Sequence, residues 1–303
     1  MLFAVVIMKI EPDHSRDVIR SKVIATGDVW DYLVDGSDFG ADWATVGFVV
    51  KAPWNVDIDV SKTGLIESVE SDDFFNLNAN AANSTQVSFF RREFDLLYPD
   101  SVVDFQLALI FSDGAVIYLN GVEVARMNMP MDADITFETA AREVIRHPHD
   151  WQQVYFGCMD GIELYETGNV LAVSMHRAAF EPSSVMQIDA ELVAIYASPD
   201  ESAVKPDVPS NFTLVTASLT PHFDSILVGF DNQDDAKYYR IERQLEGDVA
   251  WETVEPGLPG DISIFLDVGV TKGQTYSYRM SAFNTGGHSA CTEPLEMITV
   301  PQP

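Results

Sequence analysis

Apolar positions in this chain fall in short runs broken by turn residues, and within the runs they recur at every second position, the period of paired β-strands. In Ser112–Arg126, Val116, Tyr118 and Asn120 alternate with Ile117 and Leu119, and Val122 and Val124 alternate with Glu123 and Ala125. Asn120-Gly121 between these runs predicts a tight hairpin, because both central positions of a type I′ turn need positive φ. Trp30 and Tyr32 lie two apart on a predicted strand and so share one face, which predicts burial. Ser198–Asp207 is polar and carries two prolines, the composition of an exposed connection. Beyond it come about seven short apolar segments with turn signals roughly every 8 to 12 residues, the spacing of an immunoglobulin-like sandwich. The pattern therefore predicts an all-β chain in which a linker over 198–207 leads to an immunoglobulin-like sandwich over 208–303. The apolar run Leu2–Met8 is read either as a strand added to a neighbouring subunit's sheet or as an extra strand of its own domain.

Several multi-residue stretches carry a family resemblance. The Ser112–Arg126 hairpin resembles that of a bacterial β-sandwich of the galactose-binding-like type, a module appended to secreted phosphatases, lamin-tail proteins and other surface proteins. Trp30–Asp38 followed by Trp43, Phe89–Phe94, Asn128-Met129-Pro130, Gly168–His176 and Asp189–Leu192 are similar to further segments of that module, in the same order. Past the linker, Pro209, Ile226–Phe230, Tyr238–Arg243, Val270–Tyr276 and Ala282–Ser289 resemble a fibronectin type III domain. Phe230 stands where that family has tryptophan, Lys272 replaces a proline, and Tyr276 takes the place of the corner tyrosine. The resemblance implies a jelly-roll sandwich over residues 22–197, which leaves 1–21 as an arm or extra strand, followed by a fibronectin type III sandwich over 208–303; it implies no ligand.

Charge narrows the function classes. Forty-seven acidic residues against 18 basic ones give a net charge of −29, a field that repels nucleic-acid phosphates and anionic membranes. The excess is read as a solvated surface. Cys158 and Cys291 fall in different predicted domains, so neither domain holds an internal disulfide and oxidative folding is not implied. Met1–Met8 lacks the basic lead of a signal peptide and is too short to span a bilayer. Modules that resemble surface proteins without an export signal fit a tailed-phage structural protein, made in the host cytoplasm and displayed on the virion; the alternative is part of a secreted or cell-surface protein.

The search for chemistry yields binding candidates and no catalytic set. No nucleophile elbow, phosphate-binding glycine loop or His-Glu-x-x-His occurs, and no spacing singles out a triad. His147 and His149 flank a proline and precede Asp150-Trp151, so they are read as surface histidines in a loop instead of a metal pair completed by His176. By resemblance, Asp35, Gly36 and Asp38 with the closing carboxylate Glu191 match a structural calcium site; calcium wants six to eight hard oxygens, and the alternative is a plain turn whose aspartates bond their own backbone. Sugar binding would use aromatic faces, for which Trp43, Trp54, Trp151 and Tyr155 are the candidates, with core packing as the competing reading. Met127, Met129 and Met131 are read as loop packing, and the sequons at Asn83 and Asn211 as chance. The expectation is a non-enzymatic attachment or display protein that binds a neighbouring subunit, itself included, or a cell-surface glycan. A carbohydrate-binding accessory region of a secreted hydrolase is the alternative.

Overall fold

The computed structural model describes residues 18–34, 40, 42–59, 75–77, 86–145, 151–156, 159, 161–178, 186–197, 204–219, 224–284, 286–296 and 298–300. Residues 1–17 of the arm, the Asp35–Asp38 loop, His147, His149, Cys158 and Asn83 lie outside these residues, and the rest of the arm begins β1. Apart from two 3-10 turns, Asp42–Ala44 and Pro99–Ser101, every regular element described is a strand. Two compact units result, one built on Arg20–Tyr196, the other on Ala197–Glu246 and Thr253–Pro303.

The first unit contains β1 (Val18–Ile24), β2 (Val29–Leu33), β3 (Asn55–Asp59), β4 (Phe75–Leu77), β5 (Val87–Phe94), β6 (Val102–Phe111), β7 (Gly114–Leu119), β8 (Val122–Met127), β9 (Gln152–Tyr155), β10 (Asn169–His176) and β11 (Met186–Ala197). One sheet has the order β1-β11-β6-β9, with β4 also paired to β11, and the other β3-β2-β5-β10-β7-β8. Phe105, Leu107, Leu109, Leu192 and Ile24 from the first sheet meet Trp30, Phe90, Ile117, Leu171 and Val173 from the second in one core. This is a β-sandwich, in which alternate residues of each strand face inward.

The hairpin forms where the sequence predicts it. Asn120 and Gly121 have φ of +51° and +89°, and Leu119 faces Val122 across the turn. The Asn120 carboxamide fixes the tip: Oδ1 accepts from Val170 N at 2.7 Å, while Nδ2 donates to Asn169 Oδ1 at 3.0 Å and to the Glu163 carbonyl at 2.7 Å. Strict alternation breaks at a β-bulge between Ile117 and Tyr118. The extra residue there brings Val124 into the core with Ala125 packed against it, because a bulge opposes two residues to one.

The second unit contains β12 (Thr213–Leu219), β13 (Asp224–Gly229), β14 (Tyr238–Leu245), β15 (Glu252–Pro259), β16 (Ile264–Asp267), β17 (Thr275–Asn284), β18 (Gly287–His288) and β19 (Ile298–Thr299). Its sheets run β12-β13-β16 and β15-β14-β17-β18, with β19 also on β17, a fibronectin type III-like sandwich around Ile226, Val228, Tyr239, Ile241, Tyr278 and Met280. Phe230 is buried in this core, its ring 4.7 Å from that of Tyr239. The Tyr276 hydroxyl accepts the Thr271 amide at 3.0 Å, which satisfies a backbone donor at the corner. Buried Asp267 accepts from Tyr278 Oη, Arg243 Nη1 and the Gly269 amide, each at 2.8 Å; burial and the Asp267 carboxylate push the Tyr278 pKa up. No helix among the described residues is long and apolar enough to cross a membrane.

Candidate functional site

The four aromatic candidates separate into two pairs. On the outer face of the six-stranded sheet, Leu33, Val87, Phe89, Val170 and Ala172 form an apolar surface. The 3-10 turn Asp42–Ala44 and the chain after it cover that surface with Trp43, Ala44 and Trp54, backed by Phe48 and Val50. Trp43 and Trp54 stack with centroids 6.3 Å apart, and Trp43 packs 4.8 Å from Phe89 and edge-on to Tyr118 at 5.6 Å. With 3% and 6% of their surfaces exposed, both rings are core, the competing reading in the sequence, and their faces are not open to a sugar.

Arg91 ties this covering segment down. Its side chain is fully buried, Nη1 donates to the Phe48 carbonyl at 2.9 Å, Nη2 lies 3.4 Å from the Thr45 carbonyl, and the guanidinium sits 5.4 Å from the Phe48 ring centroid. Burial lowers its pKa, and the charges of Glu93 and Asp31 oppose that shift. At the other end, a Cβ on Gly121 would lie 2.8 Å from Thr45 Cγ2, so glycine serves both the turn and the close approach.

Further along the same face, the loop after β8 lays Met129, Ile135 and Ala141 over Val116. Beneath it lie Ser174 and His176, 2% and 1% exposed. Ser174 Oγ is 2.9 Å from His176 Nε2, and His176 Nδ1 is 2.7 Å from the Thr139 carbonyl. Since a carbonyl only accepts, Nδ1 carries the proton and Nε2 accepts from Ser174. Desolvation lowers the His176 pKa to about 4, outweighing the bond to Thr139. Desolvation also pushes the Tyr118 hydroxyl, bonded to Ser174, up to about 12. A neutral imidazole with both nitrogens occupied, sealed from solvent, is structural.

Trp151 and Tyr155 are placed differently. Val154 belongs to the core, so by the period of two Trp151, Gln153 and Tyr155 face outward from the edge strand β9. Tyr155 pairs with Gln106 and Gln153 with Ala108, which puts these side chains side by side on the outer face. Gln106 Oε1 accepts from Arg20 Nη1 at 2.7 Å. On the β11 side, Ala108 pairs with Glu191, whose carboxylate is 2.5 Å from Lys22 Nζ. The small Ala108 between Gln153 and Glu191 makes a low point flanked by amides and charges, with Tyr155 half-buried and Trp151 exposed at the rim. Trp151 and Tyr155, four residues apart on extended chain, stand about 13 Å from each other.

Of the proposed calcium ligands, Asp35 and Asp38 lie outside the described residues, and Glu191 is ion-paired with Lys22. Among the described residues no cluster of three or more His, Cys, Asp or Glu side chains has metal-binding geometry. The sequence reading did not find Arg20, Gln106 and Gln153; their relation to Tyr155 depends on strand pairing, and the only local signal was the amide pair Gln152-Gln153 on a short alternating run.

No family model and no curated protein matches this chain. Among solved structures, similarity extends to a beta-glucuronidase of an uncultured Clostridium sp. (12% identity over 97% of this chain and 45% of that one, TM-score 0.35). It extends also to the Ruminococcus gnavus b-glucuronidase in complex with D-glucuronic acid (9% identity, 96% and 47%, TM-score 0.37). A myokine structure aligns over 32% of this chain and 100% of its own, at 17% identity and TM-score 0.28. The chain thus spans less than half the length of either glucuronidase.

Proposed function

We propose that this chain is a non-enzymatic attachment protein whose first unit, a galactose-binding-like jelly roll, holds a glycan on the outer face of its five-stranded sheet. The observation that carries this reading is the row Trp151, Gln153 and Tyr155 on β9, flanked by Gln106 and Arg20. Aromatic faces stack on the C–H face of a sugar, and amides and a guanidinium read its hydroxyls. A surface of net charge −29 repels acidic glycans, so the ligand class is a neutral or amino sugar chain. Catalysis has no support here, since the hydrogen-bonded Ser174–His176 pair lies beneath the loop after β8.

On a virion such a surface fastens the particle to a cell or a neighbouring subunit. A second reading, an accessory region that holds a secreted hydrolase on its polysaccharide, is favoured by one observation: Cys291 is disulfide-bonded, contrary to the expectation from sequence, and disulfides persist in oxidising compartments. The test is a glycan array on the full chain, followed by titration of any hit. Trp151→Ala and Tyr155→Ala are expected to weaken binding at least tenfold with unchanged thermal unfolding. Absence of any ligand at millimolar concentration, or binding indifferent to both substitutions, refutes the proposal.

A further inference from the structure

In the second unit the sheet β12-β13-β16 turns an apolar face outward. Ile226 and Val228 point into the core, so Leu227 faces out, directly opposite Leu266. Gly229 faces Ile264, and a Cβ there would lie 2.8 Å from Val215 Cγ2 and 3.9 Å from Ile264 Cγ2. Val215, Ile264 and Leu266 are 54%, 52% and 42% exposed. Among the described residues β16 is the edge of this sheet, and its Ile264-Phe265-Leu266-Asp267 sequence has none of the lysines, prolines or bulges that protect an open edge. Such an edge pairs with another strand.

What covers it follows from the size of the face and from the sequence of the segment that fits it. The half-exposed side chains of this face amount to a patch on the order of 300 Å², well short of the roughly 800 Å² per partner that a stable rigid dimer buries. A single short strand needs no such area, because main-chain hydrogen bonds supply affinity. Leu2–Met8 is a run of seven apolar residues closed by Lys9, and no acidic residue occurs before Glu11. It is apolar at odd and even positions alike, as suits a strand covered on both faces, and extended it reaches about 23 Å, longer than the four residues of β16.

We propose that Leu2–Met8 of a second copy of this chain adds as a strand to the open edge of β16, continuing the apolar row of Ile264 and Leu266. The contact joins the N-terminal segment of one copy to the second unit of another and is independent of the glycan face on the first unit. Light scattering over a concentration series tests it with three proteins: the full chain, the full chain lacking residues 2–8, and Ile264→Glu/Leu266→Glu, whose exposed positions accept glutamate without disturbing the core. The full chain is expected to give a multiple of the monomer mass, and each variant to shift its association midpoint at least tenfold upward in concentration. Mixing the two variants is expected to restore a complex, since one supplies the strand and the other the edge. A monomeric full chain overturns the proposal, as it would if the strand covered its own chain's edge. Association that survives loss of residues 2–8, or a mixture that stays monomeric, overturns it equally, the former pointing to direct contact between faces.

Discussion

Protonating His176 should destabilise the first unit by an amount that the structure fixes in sign and scale. The imidazole is 1% exposed, donates from Nδ1 to the Thr139 carbonyl and accepts at Nε2 from Ser174, so a second proton displaces the Ser174 hydrogen bond and creates a charge without water. Its pKa falls from 6.5 in the unfolded chain to about 4 in the fold. Between those values the unfolded state binds one proton more than the native state, so stability is complete above pH 6.5 and declines as pH falls toward 4. The slope is about 1.4 kcal/mol per pH unit, for a total of about 3 kcal/mol. Urea denaturation at pH 7, 6, 5 and 4.5, followed by tryptophan emission, measures it, because Trp30, Trp43, Trp54 and Trp151 all belong to this unit. His176→Asn supplies the control: its amide still donates to Thr139 without titrating, while the carboxylates contribute their background equally. The variant is expected to be less stable at pH 7 by about 1–2 kcal/mol and flatter between pH 6.5 and 4.5. Equal slopes for the two proteins would refute the assignment.

Trp43→Ala should cost about 3–5 kcal/mol through the cavity left beside Trp54, Phe89 and Tyr118; an unchanged melting temperature with loss of glycan binding would mean that the ring is a binding surface after all. Gly114→Ala places a Cβ 2.4 Å from Met129 Sδ and 2.6 Å from Ala141 Cβ, and the displacement of the covering loop should cost about 1–3 kcal/mol, visible as faster amide exchange at Ala141 and Arg142. Tyr276→Phe leaves the Thr271 amide without its acceptor and should lower the second unit's stability by about 1–3 kcal/mol in urea melts; an effect within experimental error would show that water replaces the hydroxyl.

The parts of the fold legible in the sequence are those whose cause is local. Asn120-Gly121 announced its turn because few residues tolerate positive φ, whereas Tyr276 was legible only through the resemblance of Val270–Tyr276 to a fibronectin segment, and its bond to the Thr271 amide came from the structure. The burial of Trp43 and Trp54 was not legible, since it depends on which stretch of chain crosses the outer face of a sheet. That crossing is fixed by Arg91, whose guanidinium reaches carbonyls more than forty residues earlier. Alternation on β5 showed that Arg91 shares a face with Phe89 but gave no sign that this face is covered.

The proposed binding row on β9 illustrates the converse. Trp151 and Tyr155 resembled Trp43 and Trp54 as isolated aromatic residues, and only strand order separates the pairs. β9 sits at a sheet edge, with Val154 turned to the core and its neighbours turned out, whereas the face beneath Trp43 belongs to inner strands already apolar at Phe89, Val170 and Ala172. An aromatic ring opposite apolar side chains is drawn into contact with them by the area it removes from water. Opposite Gln106, Gln153 and Arg20 no such gain exists, because covering those groups would strand their hydrogen bonds. The polar neighbours of Tyr155 therefore leave it only half-buried, and under the proposed function the same groups hold the sugar.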